Sequence, residues 1–206
     1  MSRTVDSYVA LGDSFTSGTD PHEPRWADEV ARALGLSARY ANLAEIGATS
    51  REVEERQLEA ALCLGPDLIS LICGANDVLE SVRPEPEGFR DRLSRMLDRI
   101  GTEAPEAAVV TATYPDLSRF LELRERTRER VRRGVSGFNE VIRRVAAEHG
   151  ALLLEWSEHP GTGERGNFAH DGFHPSPDGH RRAAAEIVAA LKERLDIETR
   201  RQEEAA

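Results

Sequence analysis

The chain has 206 residues, of which 39% are hydrophobic and 31% charged, a composition that excludes a membrane-embedded protein and an intrinsically disordered one. A formal net charge of −10 argues against non-specific binding of nucleic acid. The apolar runs are too short to span a bilayer, and the first residues contain no apolar segment of secretory length. We therefore expect a cytoplasmic protein without stable membrane insertion.

Short apolar runs alternate with helical patterns along the chain, which predicts βαβ units and a parallel sheet. The expected strands lie near 7–11, 39–43, 67–73, 107–113 and 151–155. Residues 68–72 and 108–110 form nearly continuous apolar runs, as strands covered by helices on both faces do. With no linker or internal repeat, 1–206 is predicted to be a single domain with a frayed polar tail at about 197–206.

Three helices are predicted from apolar residues that recur at spacings of three and four. The first carries Phe89, Leu93, Met96, Leu97 and Ile100. The second carries Val135, Phe138, Ile142 and Val145. The third opens with Ser176 as N-cap and Pro177 at the first helical position, and carries Ala184, Ile187, Val188, Leu191 and Leu195.

The segment 117–133 is rich in Glu and Arg and has few apolar residues. One interpretation is a solvated helix stabilised by ion pairs between residues four apart, and the other is a mobile flap beside the site. Cys63 and Cys73 lie in apolar contexts and are expected to be buried free thiols.

Small and polar residues follow the predicted strands. Gly12-Asp13-Ser14 follows the first strand, Gly74-Ala75-Asn76-Asp77 the third, and Asp171-Gly172-Phe173-His174 lies before the last helix. A weaker cluster around Gly47 follows the second strand. Because an open parallel sheet places its working residues at the carboxyl ends of the strands, these clusters are expected to meet at one edge.

These segments, in this order, resemble the motifs of the SGNH, or GDSL, hydrolase family of esterases and lipases. The resemblance spans nearly the whole chain, and its one departure is Phe15, which stands where the family name implies leucine. It implies the SGNH hydrolase fold: a flavodoxin-like, three-layer α/β/α structure whose five parallel strands lie in the order 2-1-3-4-5. It also implies that the backbone N–H groups of Ser14 and Gly47 and the side-chain amide of Asn76 form an oxyanion hole.

The residue types suit ester cleavage without the family. A serine hydroxyl needs an adjacent base, and Ser14 directly follows a strand. His174 is the expected general base, with Asp171 orienting its imidazole from the same loop. Asp13 is expected to brace this loop by accepting hydrogen bonds from the backbone or from Asn76. The resulting prediction is a serine hydrolase that cleaves carboxylic esters or thioesters of small molecules through an acyl-enzyme intermediate, without a cofactor.

The contacts with substrate are less constrained by sequence. Thr16, beside the nucleophile, and Tyr114, in the Tyr114-Pro115-Asp116 segment after the fourth strand, are candidate pocket residues. Carbohydrate O-deacetylation and acyl transfer use the same triad and stay open as alternatives. The acyl chain length, the physiological substrate and the oligomeric state are not readable from the sequence.

Two rival hypotheses belong to other classes of protein. His170, Asp171, His174 and His180 form a cluster of types that bind metals, although Gly172, Pro175 and Pro177 place most of them in a loop and His180 is expected at the surface. A non-catalytic binding domain on the same scaffold is the second rival, since a fold alone does not determine function. Chelator-insensitive cleavage of p-nitrophenyl acetate that is lost in Ser14→Ala would exclude both.

Overall fold

A computed structural model describes residues 5–36 and 38–195. Its five strands are β1 (Tyr8–Gly12), β2 (Tyr40–Asn42), β3 (Leu68–Ile72), β4 (Ala108–Ala112) and β5 (Leu152–Leu154). All of them pair in parallel in the order β2-β1-β3-β4-β5, which confirms the predicted fold class. Each strand lies within two residues of its predicted bounds.

Among the described residues, eight α-helices connect and cover the strands. They are α1 (Ser14–Ser17), α2 (Trp26–Ala33), α3 (Ser50–Glu52), α4 (Leu58–Cys63), α5 (Ala75–Glu80), α6 (Pro86–Glu103), α7 (Glu125–Glu148) and α8 (Pro177–Leu195). A π-helical segment, Val53–Gln57, joins α3 to α4, and three 3₁₀ turns, Trp156–Glu158, Pro160–Gly163 and Arg165–Asn167, precede α8.

The sheet lies between two helical layers because its residues are apolar on both faces. Every residue of β1 and β3 is buried. Helix α2 packs against α8, and α6 packs against α7 and α4. The predicted apolar stripes of α6 and α7 are all buried, and Ser176 accepts a hydrogen bond from the Gly179 N–H (3.1 Å) at the start of α8.

The segment 117–133 is only partly a helix, because α7 begins at Glu125. Before it, Asp116 accepts hydrogen bonds from the Ser118 N–H (2.9 Å) and hydroxyl (2.6 Å), which forms a turn where the helix was expected. Arg128 then donates to the carbonyls of Ser118 and Leu121, so the turn is tied to the first turns of α7.

Three other expectations have different outcomes. Cys73 is buried, but Cys63 is exposed on α4, and both thiols are free. The predicted tail, 197–206, lies outside the described residues. In the part of the chain that the structure describes, no helix combines the length and apolarity needed to cross a membrane.

Candidate active site

The first site residue lies where β1 leaves the sheet. Gly12 has φ = +150°, and a Cβ there would lie 2.2 Å from the carbonyl oxygen of Ile72, so only glycine permits this close approach to β3. Asp13 then caps α1 by accepting the Phe15 N–H (2.9 Å), and Ser14 is the first helical residue. The chain therefore turns sharply enough to place the Ser14 side chain at the carboxyl edge of the sheet.

A loop before α8 brings the predicted base to this serine. The hydroxyl of Ser14 lies 3.0 Å from Nε2 of His174, across 160 residues of chain. On the other side of the ring, Nδ1 lies 2.5 Å from Oδ2 of Asp171. Gly172 makes the tight turn between the two residues, since it has φ = +74° and a Cβ there would lie 2.7 Å from the Phe120 carbonyl oxygen.

The hydrogen bonds of Asp171 determine which nitrogen of His174 carries the proton. Oδ1 accepts the backbone N–H groups of Phe173 (2.9 Å) and His174 (3.1 Å). Burial would raise the pKa of Asp171, but the hydrogen bonds from the His174 ring and these N–H groups lower it overall. An ionised carboxylate only accepts, so the proton is on Nδ1 and the Nε2 lone pair faces the Ser14 hydroxyl. This geometry allows proton transfer from Ser14 to His174.

Phe15, the departure from the family name, packs between the nucleophile turn and the histidine loop. Its ring meets Phe173 edge-on at 5.0 Å and lies 6.0 Å from the His174 ring, measured between centroids. A planar side chain therefore supports the loop that carries the imidazole, so the Phe15 side chain has a structural use at this position.

The groups expected to bind an oxyanion lie on the segments that directly follow β1, β2 and β3. Asn76 is 9% exposed and donates one amide hydrogen to the carbonyl of Ala48 (3.0 Å), which leaves the second hydrogen free of the described residues. Gly47 has φ = +79°, nothing lies within 4 Å of a Cβ placed there, and among the described residues its N–H has no partner. The Ser14 N–H, at the first position of α1, likewise has no acceptor within the helix.

A partly buried ion pair links the segments that follow β2 and β3. Asp77 accepts the Ser50 N–H (2.7 Å) and hydroxyl (2.6 Å), and Arg92 of α6 donates to Asp77 (3.1 Å) and Ser50 (2.8 Å). Together with the Asn76–Ala48 bond, these contacts set the spacing between the loop of Gly47 and the loop of Asn76.

Two side-chain amides that bind the backbone at strand ends belong to no motif and were not predicted from the sequence. Gln57, in the π-helical segment, pairs with both the N–H and the carbonyl of Gly12 (2.9 Å each). Asn139 of α7 does the same for Tyr114, at 2.8 and 2.7 Å. Both are buried polar residues. The one local signal that could have indicated either of them is the interruption of helical periodicity at the π-helical segment, which contains Gln57.

The candidate pocket residues lie in the interior. Thr16 is 0% and Tyr114 3% exposed, so in this structure neither side chain presents surface to a ligand. Asp13, also fully buried, accepts the Phe15 N–H as expected, whereas its second oxygen faces the Tyr114 hydroxyl at 3.5 Å and not Asn76. An apolar pocket of about 90 Å³ borders Phe15 and is also lined by Trp26, Trp156, Phe168, Pro175 and Ala183.

The predicted surface position of His180 is wrong. The side chain is 3% exposed because its Nδ1 accepts the Trp26 N–H (3.2 Å), which anchors α8 to the start of α2. Burial lowers the pKa of His180 to about 4. His170 is exposed, and no group of three metal-binding side chains occurs within residues 5–36 and 38–195.

The chain matches the model of the GDSL-like Lipase/Acylhydrolase family over residues 10–182. The lipase/acylhydrolase from Enterococcus faecalis is 26% identical, with a TM-score of 0.73 over 97% of this chain and 99% of that one. An acetyl xylan esterase, AlAXEase, is 16% identical (TM-score 0.72, 90% and 99% covered). The psychrotrophic esterase EstA from Pseudoalteromonas sp. is 15% identical (TM-score 0.71, 93% and 99% covered). No curated protein sequence matches the chain.

Proposed function

The chain belongs to the GDSL-like Lipase/Acylhydrolase family and is an ester-hydrolysing serine hydrolase, and from that premise we propose which residues do the chemistry. Ser14 is the nucleophile, His174 the general base and Asp171 the residue that orients the imidazole. The observation that carries this assignment is the chain of hydrogen bonds from Ser14 Oγ through both ring nitrogens of His174 to Asp171 (3.0 and 2.5 Å).

In the first step His174 Nε2 accepts the proton of Ser14 while Oγ attacks the ester carbonyl carbon. The negative charge that develops on the carbonyl oxygen is stabilised by the N–H groups of Ser14 and Gly47 and by the free amide hydrogen of Asn76. His174 then donates its proton to the leaving alcohol or thiol, which leaves an acyl-Ser14 ester. Water, activated by the same imidazole, hydrolyses that ester and restores the enzyme.

Two exposed apolar residues at the carboxyl edge of the sheet favour acyl esters as substrates. Of the described residues, the large hydrophobic ones with high exposure are Ile46 (66%), Leu64 (54%) and Val82 (84%). Ile46 directly precedes Gly47, and Val82 follows α5, which carries Asn76, so both lie on loops at the carboxyl edge of the sheet. Such residues bind an apolar acyl chain more favourably than a sugar.

Ser14→Ala tests the assignment of the nucleophile. We expect the variant to lose both the hydrolysis of p-nitrophenyl acetate and covalent labelling by an organophosphate. The activity of the unmutated enzyme is expected to be unaffected by chelators. Ser17→Ala is the matched control, because Ser17 belongs to the same short helix and, within the described residues, its hydroxyl hydrogen-bonds only to the Gly18 carbonyl (3.0 Å). The EstA structure is described as inhibited by monoethylphosphonate, which makes a phosphonate a suitable probe. Full activity in Ser14→Ala would refute the assignment.

A chain-length series of p-nitrophenyl esters and acyl thioesters tests the substrate class. Ile46→Ser and Val82→Ser are expected to reduce kcat/KM for longer acyl chains more than for acetate. Leu64→Ser is the control, since Leu64 is exposed between α4 and β3, at the amino edge of the sheet. Activity confined to acetyl esters, and greatest on acetylated sugars, would favour a carbohydrate O-deacetylase. Ester formation with an added alcohol in preference to hydrolysis would favour an acyltransferase.

The cytoplasmic location stays a prediction, and fractionation of the native cells with an antibody against the chain tests it.

A further inference from the structure

Tyr114 lies in the interior beside the nucleophile turn. Its ring meets the edge of Phe15 at a centroid distance of 5.6 Å. Its hydroxyl donates to Oδ2 of Asp13 (3.5 Å). Because Asp13 directly precedes Ser14, this hydroxyl contacts the turn that carries the proposed nucleophile.

The backbone of Tyr114 is held from the opposite side by α7. Strand β4 ends at Ala112, so the parallel ladder no longer pairs the N–H and carbonyl of Tyr114. The side-chain amide of Asn139 pairs with both (2.8 and 2.7 Å), and Asn139 is itself 4% exposed. Two hydrogen bonds from one planar amide leave the Tyr114 backbone little freedom to shift.

We propose that Tyr114 is a positioning residue of the active site, whose hydroxyl holds the nucleophile turn (13–15) through Asp13, with Asn139 holding Tyr114 in place. The inference rests on the proposed function, because the position of this turn affects turnover only if Ser14 is the nucleophile. An enzyme loses rate when nucleophile and oxyanion donors move apart by a fraction of an ångström. The contact with Asp13 is long for a hydrogen bond, so the expected effect is moderate.

Asp13 is the titratable partner in this contact. The groups that face it are the Phe15 N–H on α1, the Tyr114 hydroxyl after β4, the Cys73 thiol after β3 and the Asp77 carboxylate on α5. The pKa of Asp13 is raised to about 7 overall: burial raises it most, the hydrogen bonds from Phe15 and Tyr114 lower it, and the charge of Asp77 raises it. Burial also raises the pKa of Tyr114 well above its ordinary value, so its hydroxyl stays a donor.

Tyr114→Phe tests the proposal, with Tyr8→Phe as the matched control. Tyr8 is also buried and its hydroxyl is hydrogen-bonded to Ser70 (2.8 Å), but it lies at the start of β1, at the other edge of the sheet. We expect Tyr114→Phe to lower kcat on p-nitrophenyl acetate about tenfold, the equivalent of about 1.4 kcal/mol in the barrier, with KM nearly unchanged. Tyr8→Phe is expected to lose similar stability in urea while keeping its kcat.

The pH profile gives a readout that packing alone does not change. Without the Tyr114 donor the pKa of Asp13 rises further, so the carboxylate that accepts the Phe15 N–H in the nucleophile turn becomes protonated at higher pH. We therefore expect the acidic limb of kcat/KM to move to higher pH in Tyr114→Phe and to stay in place in Tyr8→Phe. An unchanged kcat and profile in Tyr114→Phe, or equal losses of kcat in both variants, would overturn the proposal.

Asn139→Leu gives a second route that does not depend on the folding of Tyr114→Phe. It keeps the hydroxyl but removes the amide that holds the Tyr114 backbone, and kcat is expected to fall in the same direction. Combined with Tyr114→Phe, the losses should be less than additive, because both substitutions act through one contact. Additive losses would refute the coupling. If the parent enzyme is active and the variants keep its kcat, this inference alone is refuted. If the parent enzyme shows neither esterase activity nor organophosphate labelling, the proposed function is refuted.

Discussion

The substitution Asn76→Ala tests whether Asn76 donates a hydrogen bond to the transition state or only supports the backbone around it. One amide hydrogen of Asn76 is already bonded to the Ala48 carbonyl (3.0 Å), so a single hydrogen remains for the oxyanion. Removing one such donor typically lowers kcat by about 10²–10³-fold, or about 2.7–4 kcal/mol. The lost bond to Ala48 lowers the free energy of unfolding by about 1 kcal/mol, so the variant is expected to remain folded.

The assay compares kcat and KM on p-nitrophenyl acetate with urea unfolding of the same preparation. Asn167→Ala is the control, because Asn167 also donates its side-chain amide to a loop carbonyl, that of Gly161 (2.6 Å), outside the proposed oxyanion hole. A kcat in Asn76→Ala equal to that of the parent enzyme would remove Asn76 from the mechanism. Equal losses in both variants would show that loop support, and not charge stabilisation, explains the effect.

Two further predictions concern stability. Burial lowers the pKa of His180 to about 4 in the folded state, against 6.5 in the unfolded state. Between these values the unfolded state binds more protons, so the free energy of unfolding decreases by about 3 kcal/mol as the pH falls through this window. Urea unfolding at pH 7 and pH 5 should show a smaller loss in His180→Gln, which keeps an acceptor for the Trp26 N–H; an identical loss would refute the assignment. Asp77→Ala is expected to lower the free energy of unfolding by about 2 kcal/mol, below the usual value for a buried pair because Arg92 is one-fifth exposed. The double variant with Arg92→Met should recover part of that loss, since it removes the unpaired charge, and a further decrease would contradict this reasoning.

The strands and helices follow from local patterns in the sequence, whereas the order of the strands came from the resemblance to the family. Strands buried on both faces, such as Leu68–Ile72, read as continuous apolar runs, and amphipathic helices such as Pro86–Glu103 repeat at helical spacing. The motifs of Ser14 and His174 also predicted two groups that the structure places 3.0 Å apart. The spacing of motifs at strand ends is enough here because a parallel sheet brings those ends to one edge.

The errors share a different cause, which is contact between distant parts of the chain. His180 lies in the first turn of a helix rich in charged residues, where the local sequence favours exposure. Its ring is nevertheless buried, because it accepts a hydrogen bond from the Trp26 N–H, 154 residues away in the chain. Similarly, Tyr114 follows a strand at the expected edge, but its ring turns inward because Asp13 and Asn139 bind its polar atoms. The turn at Asp116 was readable in principle, since Asp and Ser two residues apart favour an Asx turn over a helix.

The two buried amides show why such residues matter to the site although they belong to no motif. Where β1 and β4 turn out of the sheet, Gly12 and Tyr114 keep backbone polar groups that the ladder no longer fully pairs, and an unpaired group in the interior is destabilising. Gln57 and Asn139 bind the N–H and the carbonyl at each of these points, at 2.7–2.9 Å. The chain can therefore bend abruptly after each strand without exposing its backbone, and the bend after β1 is what presents Ser14. Substitutions at these amides, far from the motifs in sequence, should consequently affect turnover more than their distance from Ser14 along the chain suggests.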